Sequence, residues 1–408
     1  MSKNNNIPSV IKAVGLTSFF INTSTLIIFS FFAIYLKDVL HINLSKLGFL
    51  DGAVEAISYL MKVFSGYLSD LICNRKVLFL AGSVLLLIAK PLEAICTKFV
   101  PLFCAKAMER LGNGLQSTPR DAIVCDWTNR SNKNICFGFR QSMASLGSLV
   151  GALCAAFLYY KLRDFQKVFW CSCIPATLAV LTVLFFVKNK DRTSIVDTNK
   201  TDNNSNQNKK KCNKIKLKDI KSLSKEYWTL LSVAGIYNLA KITDSMSLIY
   251  VTYVWKLDLY IVPLFFAIFH VGASVAAYSS GIIASKVKRI ETIFIAGVSI
   301  FIIADILFIF CENNLIITIL AMFCLGAYSG IANSTFPAQI SGLVPDNLRG
   351  TGLGIYNLAC ALSLLCGGTL LGFIAEKSQI VTSFYVSACI ASMALIFLTI
   401  YRHVKYKD

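Results

Sequence analysis

Charged residues are scarce in this chain of 408 residues: Asp, Glu, Lys and Arg together make up 15%, whereas a soluble domain carries about 25%. Hydrophobic types reach 55%, and the mean hydropathy is +0.62. Single hydrophobic cores stop growing at about 250 to 300 residues, so a soluble protein of this length could not bury so much apolar surface. The composition therefore indicates a membrane protein.

Histidine, CxxC pairs and nucleotide-binding motifs are also scarce or missing. The chain has three histidines, far apart, and its 14 cysteines lie scattered, mostly inside apolar runs, with none in a CxxC pair. Such cysteines are typical of apolar packing, so we expect no metal site and no cofactor. No GxxxxGK[ST] run is present, which argues against ATP as a driving force. We do not expect an enzyme.

Long apolar runs fill most of the sequence. A helix needs about 20 mainly apolar residues to cross a hydrocarbon core of ~30 Å, and twelve runs meet this length. They cover residues 12–36, 46–70, 76–96, 99–122, 137–160, 166–188, 226–253, 261–284, 291–311, 314–340, 350–374 and 380–402. We predict an all-α membrane protein with twelve transmembrane helices.

A polar segment at residues 189–225 separates six of these runs from the other six. It is rich in Lys and Asn and almost free of aromatic residues, so it cannot bury enough apolar surface to fold by itself. We predict an N-terminal tail at 1–11, a six-helix bundle at 12–188, this linker, a second six-helix bundle at 226–402 and a C-terminal tail at 403–408.

Lys and Arg concentrate on one side of the predicted bundles. If both termini are cytoplasmic, Arg75, Lys76, the linker and the C-terminal YRHVKYKD all face the cytoplasm, as the positive-inside rule requires. The net charge of +18 follows from this bias and from attraction of the linker to anionic lipids, so no nucleic-acid partner is needed. The Lys- and Asn-rich loops favour a bacterial source, and we expect the inner (plasma) membrane.

The two predicted bundles carry a faint internal repeat. TNRSNKNICFG at 128–138 aligns with VPDNLRGTGLG at 344–354, and STPRDA at 117–122 resembles STFPAQ at 334–339. The first pair lies between the fourth and fifth helices and between the tenth and eleventh, where a duplicated six-helix unit requires it. Two pseudo-symmetric six-helix bundles around a central path are a transporter architecture.

Two short motifs carry a resemblance to a known family. They are GYLSD at 66–70, followed by Arg75 and Lys76, and RLGNG at 110–114. With these motifs the chain resembles the major facilitator superfamily over essentially its whole length. With EAISYLMKVFSGYLSD at 55–70, KP at 90–91 and STPRDA at 117–122 it also resembles a group of uncharacterised bacterial permeases within that superfamily. The resemblance implies a transporter of small molecules in which two six-helix halves rock against each other, usually as a monomer.

The resemblance also implies a cytoplasmic gate after the second helix. Gly66 permits close helix approach, and Asp70 is expected against the positive N-terminal end of the eleventh helix. Leu71 and Cys73 stand where the family usually has a basic residue and a second glycine. The gate candidates are Gly66, Asp70, Arg75, Lys76, Arg120, Asp121 and Arg349.

Six ionisable residues lie inside the second and fourth predicted helices: Asp51, Glu55, Lys62, Lys106, Glu109 and Arg110. Facing lipid they would together cost about 15 to 20 kcal/mol, so they must mostly face protein or water. At ~100° per residue, the first three share one stripe, and Lys106 and Arg110 share another. These stripes either pair to hold helices together or couple transport to protons, with Glu55 and Glu109 as proton carriers and Arg110 as their switching partner.

Polar residues in other predicted helices complete the set of candidates. Asn238, Lys241 and Asp244 lie close together on the seventh helix and would be the contribution of the second half to a solute site. The candidates for the substrate cavity are Asn22, Asn238, Lys241, Asp244, Asn333 and Asn357.

The sequence thus predicts a secondary active transporter that moves a small polar solute by alternating access, with coupling to protons. A proton antiporter that exports drugs or metabolites is an alternative, disfavoured by Ala152, which stands where the fifth-helix Pro of such antiporters would be. A third alternative is a member of the superfamily that no longer transports and acts as a receptor or assembly factor.

Overall fold

The computed structural model describes residues 7–72, 74–128, 133–189, 223–286, 290–334, 336–345 and 348–405. These residues form fifteen α-helices and no β-strand, in agreement with the predicted fold class. The helices are α1 (Ser9–Ile34), α2 (Leu44–Ile72), α3 (Arg75–Ile95), α4 (Phe99–Asp126), α5 (Lys133–Leu162), α6 (Phe165–Cys171), α7 (Cys173–Phe186), α8 (Lys225–Ala240), α9 (Asp244–Trp255), α10 (Val262–Lys286), α11 (Ile290–Ile309), α12 (Leu315–Ser334), α13 (Phe336–Gly342), α14 (Arg349–Lys377) and α15 (Ile380–Lys405).

The fifteen helices make twelve spans because three of the predicted runs each hold two helices: the tenth run holds α12 and the short α13, and the sixth and seventh are broken as follows. The sixth span consists of α6 and α7, which meet at Ser172, where Pro175 lacks the N–H that would continue the hydrogen-bond ladder. The seventh consists of α8 and α9, separated by residues 241–243, and the Thr243 side chain caps α9 by accepting a hydrogen bond from the Met246 N–H at 3.3 Å. The predicted unbroken helix at 226–253 is therefore wrong.

Nine of the spans in the described part of the chain are long and apolar enough to cross a membrane by composition. The three others are α2, α4 and the α8–α9 pair. The first two carry ionisable residues in their middle, and the third is interrupted by its break. The three spans with the weakest membrane signal are therefore those that carry most of the candidate site.

The packing repeats between the first half, α1 to α7, and the second half, α8 to α15. The third and fourth spans (α3, α4) pack together, as do the ninth and tenth (α11, α12), and the second packs on the fourth as the eighth (α10) packs on the tenth. Between the halves, α2 packs along α14 and α5 along α10. The pseudo-twofold relationship between the halves makes α2 the counterpart of α10 and α5 the counterpart of α14, so each of these interfaces is the counterpart of the other. This is expected of a duplicated six-helix unit.

One end of the interface between the halves is closed by very tight contacts. We call it the far side, and the end where α1 begins and α15 ends is the termini side. At the far side a methyl group added to Gly48 would stand 2.2 Å from the carbonyl oxygen of Gly368, and one added to Gly52 would stand 2.6 Å from that of Leu364. Only glycine lets the backbones of α2 and α14 approach this closely.

Polar and aromatic contacts add to the closure of the far side. Glu376 accepts hydrogen bonds from the Asn43 side chain at 2.9 Å and from the Ser45 N–H at 3.1 Å. Tyr160 packs against Tyr260 with 5.6 Å between ring centroids, and the Arg163 guanidinium lies 5.6 Å from each ring. The Glu376 hydrogen bonds, the Tyr160–Tyr260 pair and the Arg163–Tyr260 contact each join the first half to the second, so the far side is shut.

Candidate functional site

An ion pair in the middle of the first half joins α2 to α4. Arg110 Nη1 lies 3.0 Å from Glu55 Oε1, and the guanidinium also lies 5.9 Å from the centroid of Phe29. The Glu55 side chain is 39% exposed although it stands halfway along a span. A charge exposed at this depth is expected to face water rather than lipid.

The break between α8 and α9 lies opposite this pair. Asp51 on α2 is buried and interacts with Thr243 and Ser245 at the start of α9. A carboxylate at a helix N-terminus is stabilised by the unpaired N–H groups there. Irregular backbone at membrane depth is tolerated only where it is buried in protein or lines a watery cavity, and discontinuous helices of this kind form the solute sites of many transporters.

A second ion pair flanks the same break. Lys241 Nζ lies 3.5 Å from Asp244 Oδ1, and both side chains are partly exposed. Lys241 also acts electrostatically on Glu55 from across the interface. Lys62, about two turns further along α2, acts on Glu55 from the same helix. The sequence-predicted residues Asp51, Glu55, Arg110, Lys241 and Asp244 thus meet at one place between the halves.

A group of tyrosines lies beside this region, and we call Tyr59, Tyr237, Tyr328 and Tyr356 the tyrosine cluster; all but Tyr59 are buried. Rings of Tyr237 and Tyr328 lie 5.8 Å apart and edge to face, and Tyr237 also interacts with Tyr356. Tyr59 reaches the cluster from α2, where Lys62 Nζ stands 4.2 Å from its ring centroid. The sequence reasoning missed this cluster because its members come from four different spans.

Asn238, a predicted cavity residue, lies at the edge of the tyrosine cluster. It is buried, and its amide donates hydrogen bonds to the Ala234 carbonyl at 2.8 Å and to Cys360 Sγ at 3.4 Å. Asn22 lies elsewhere, in the contact between α1 and α5, where it donates to the Ser18 carbonyl at 2.7 Å. The two remaining candidates, Asn333 and Asn357, are exposed and half-buried respectively.

Four charged residues of α3 and α4 form a separate cluster inside the first half, which we call the buried quartet: Lys90, Glu93, Lys106 and Glu109. Each of the four side chains is at most 1% exposed. Glu109 contacts Lys90 directly, accepts a hydrogen bond from Thr25 at 3.1 Å and lies 2.5 Å from Lys106 Nζ. Lys106 also lies 4.7 Å from the Phe32 ring centroid.

The quartet changes the predicted arrangement of the charges. Lys106 and Arg110 share a stripe in sequence, but Lys106 points to α3 and pairs with Glu93 and Glu109, whereas Arg110 points to α2. The sequence prediction of the charge network did not include Lys90 or Glu93. A signal was available, since an ionisable pair three residues apart in an otherwise apolar helix needs partners in the bilayer.

The candidate gate residues Arg75 and Lys76, at the termini side, make their contacts with other residues of the first half. Arg75 pairs with Asp126 and donates to the Ala122 carbonyl at 2.9 Å, and Lys76 donates to the Leu184 carbonyl at 2.8 Å. These bonds join α3 to α4 and to α7. They tie three helices of the first half together at this end.

Arg120 and Asp121 belong to a second cluster at the same end. The Asp121 carboxylate lies 3.0 Å from Arg120 Nε and 3.5 Å from Arg140 Nε. A methyl group on Gly66 would meet Thr118 at an ordinary 3.6 Å, so this glycine is not at a tight contact here. The side chains of Asp70 and Arg349 lie outside the described part of the structure.

Comparison with known proteins identifies the family. The sequence model of the Major Facilitator Superfamily matches residues 14–367. This chain belongs to that superfamily. Over 402 residues it is 24% identical to an uncharacterised MFS-type transporter of Methanocaldococcus jannaschii, and the match covers 94% of each chain. The protein is therefore a membrane transporter of this superfamily and not an enzyme.

Solved structures of superfamily members share its fold. A variant of the nucleoside transporter NupG superposes with a TM-score of 0.76 at 12% identity, covering 96% of this chain and 99% of that one. A D-xylose-proton symporter superposes with a TM-score of 0.72 at 15% identity, covering 96% of each chain. At such identities the likeness establishes the common fold and leaves the solute open.

Proposed function

We propose that this transporter moves a small polar solute by alternating access, with the solute bound between the Glu55–Arg110 pair of the first half and the α8–α9 break of the second. The observation that carries the proposal is the meeting of partly exposed charges from both halves at one level of the membrane. Charges are retained at such depth only where they pair or face water, and they mark solute and ion pathways.

The chemistry of the site favours a solute with both polar and ring or apolar parts. Glu55, Arg110, Lys241 and Asp244 offer two charges of each sign, which suits a zwitterion or a neutral polyol better than an ion of high charge. Tyr59, the half-buried member of the tyrosine cluster, adds a flat apolar face with a hydroxyl group at its edge, which packs against a ring while hydrogen-bonding its substituents.

We further propose that protons drive the transport. The pathway holds carboxylates whose partners are basic side chains, and exchange of a proton for an ion pair is the simplest switch that such a set allows. The D-xylose-proton symporter, which has the same fold, is named as a proton-coupled protein. Asp51, Glu55 and Arg110 lie where solute and proton occupancy would influence each other.

Proteoliposomes with an imposed pH gradient test this function. The purified transporter is screened with labelled amino acids, sugars, nucleosides and cationic drugs, and we expect gradient-driven accumulation of one polar class. Glu55→Gln should abolish it, while Asp258→Asn, at an exposed acid of the far side, should leave it unchanged. Exchange of drug for protons would support antiport, and absence of flux for every solute would support a receptor or assembly role.

The positive-inside pattern supports a placement in which the termini side faces the cytoplasm of a bacterial cell. Arg75, Lys76 and Arg120 all lie at that side, and the anionic inner leaflet would attract the basic linker. We expect a monomer in the inner membrane. A reporter fused after the last residue that is active only in the cytoplasm tests the orientation.

A further inference from the structure

Glu93 is the least satisfied member of the buried quartet. Its side chain is 0% exposed, yet among the described residues no donor gives a hydrogen bond to either carboxylate oxygen. The nearest cations are Lys90 and Lys106, each 3.7 Å away. Buried carboxylates are normally held by several short hydrogen bonds, because an ion in a medium of low dielectric otherwise loses its solvation without replacement.

Glu109 is the closer partner of both lysines that could compensate a negative charge on Glu93. Lys90 is in direct contact with Glu109, and Lys106 lies 2.5 Å from it, over 1 Å closer than either lysine is to Glu93. The carboxyl groups of Glu93 and Glu109 also lie within hydrogen-bonding range of each other. Two carboxyl groups that share a dry site are most stable when one of them carries a proton.

The other groups around Glu93 do not replace the missing partner. On its own helix there is Lys90, and Cys96 follows just after the helix end. From α4 come Lys106, Glu109 and Arg110, and from α7 comes Cys173. Among these, Arg110 is engaged by Glu55 on the other face of α4.

A small cavity borders the quartet at Lys90, and a larger pocket lies at the far side, beyond the end of α3. At the far side, a pocket of about 380 Å³ is lined by residues that include Tyr35, Thr97 and Asp164. Thr97 lies four residues after Glu93, just past the end of α3, and the Tyr35 hydroxyl donates to the Cys96 carbonyl at 3.3 Å. A second cavity of about 10 Å³, lined by Lys90 and three hydroxyl residues among others, has about the volume for one water molecule.

From this geometry we propose that Glu93 is the proton-binding site of the transporter and that it loads from the far-side pocket. The inference rests on the proposed proton-coupled function. Loading converts a hydronium ion and the Glu93 carboxylate into water and a neutral carboxylic acid.

Protonation of Glu93 has a consequence for the solute site. The quartet holds two lysines and two glutamates, so a neutral Glu93 leaves it with one uncompensated positive charge. That charge lies behind Arg110, on which Glu93 and Glu109 both act electrostatically. The added positive charge favours Arg110 in contact with an anion, either Glu55 or the negative group of a solute. Glu93 therefore acts on the solute through Arg110, from a site that the solute does not touch.

Infrared spectroscopy of the transporter in lipid nanodiscs tests the site with the proton alone as the ligand. A protonated carboxylic acid has a carbonyl stretch separate from that of a carboxylate, so a buried acid that titrates appears as a band that grows as pH falls. We expect such a band in the native protein and its loss in Glu93→Gln. Glu93→Asp, which keeps an acid at the position, should retain the band at a displaced pH, and the matched control Asp305→Asn should leave it unchanged.

The outcomes separate this inference from the proposed function. Persistence of the same band in a folded Glu93→Gln protein would overturn the site, as would its loss in Asp305→Asn alone. If Glu93→Gln does not fold, Glu93→Asp provides the test. A band that titrates at the same pH in Glu93→Asp as in the native protein would also overturn the assignment of the site to Glu93. Solute flux in proteoliposomes is measured independently. Flux without proton coupling would refute the proposed function, even if the infrared band is present. Proton-coupled flux in Glu93→Gln would refute only the role of Glu93.

Discussion

Gly48 on α2 lies directly against Gly368 on α14, with the ideal Cβ position of Gly48 only 2.2 Å from the Gly368 carbonyl oxygen. No side chain fits into this gap without moving one helix from the other. Because α2 belongs to the first half and α14 to the second, this contact makes closure of the far side sensitive to a single methyl group.

Gly48→Val should therefore open the far side. Overpacking of a tight contact costs about 1 to 3 kcal/mol, and here separation of the halves relieves it. We expect faster hydrogen–deuterium exchange at residues 40–46 and 373–379 and reduced solute flux. Gly138→Val is the matched control, because no atom lies within 4 Å of a methyl group there. Unchanged exchange in Gly48→Val would show that α2 and α14 can adjust without opening.

Glu376→Ala should weaken the same closure by a different route. The substitution removes the acceptor of two hydrogen bonds, from the Asn43 amide and the Ser45 N–H, while leaving the glycine contact in place. We expect a severalfold rise in exchange at residues 40–46 with little effect on thermal stability. Lys377→Ala, at the next position, serves as the control, and an equal effect of both variants would argue against a role of the hydrogen bonds.

Glu109→Gln should destabilise the protein strongly. Glu109 is the common partner of Lys90 and Lys106, and removing one member of a buried ion pair costs about 3 to 5 kcal/mol because the remaining charges lose compensation. We expect a clear fall in the midpoint of thermal unfolding in detergent, whereas Asp258→Asn at the surface should not change it. A midpoint equal to that of the native protein would mean that water or Glu93 replaces the lost charge.

Asp305→Asn should be tolerated. Asp305 is buried on α11, and its Oδ2 lies 2.5 Å from the Ser387 hydroxyl of α15, while no cation pairs with it among the described residues. An Asn amide oxygen can accept the same hydrogen bond, so the expected loss of stability is less than about 1 kcal/mol. Thermal unfolding measures it. Asp305→Leu, which leaves Ser387 without its partner, should cost more, and equal stability of the two variants would contradict this account.

The number of spans could be predicted because it depends on local composition. An apolar run of about 20 residues has few alternatives to a membrane helix, and the repeat of six runs predicts the duplicated architecture that the family match and the fold confirm. The linker and tail boundaries remain predictions, since most of 189–225 lies outside the described residues. The break between α8 and α9 was harder to predict from the sequence, because residues 241–243 contain no Pro or Gly to interrupt the predicted helix.

By itself, then, the sequence determined that this is a twelve-span membrane protein of duplicated design and that ionisable residues lie within its second and fourth spans. Only the tertiary structure decided which charges meet. Lys106 and Arg110 lie about 40° apart around α4, yet α3 supplies Lys90 and Glu93 to one face and α2 supplies Glu55 to the other. Helical periodicity gives the direction of a side chain, but its partner depends on which neighbouring helix packs there and at what height.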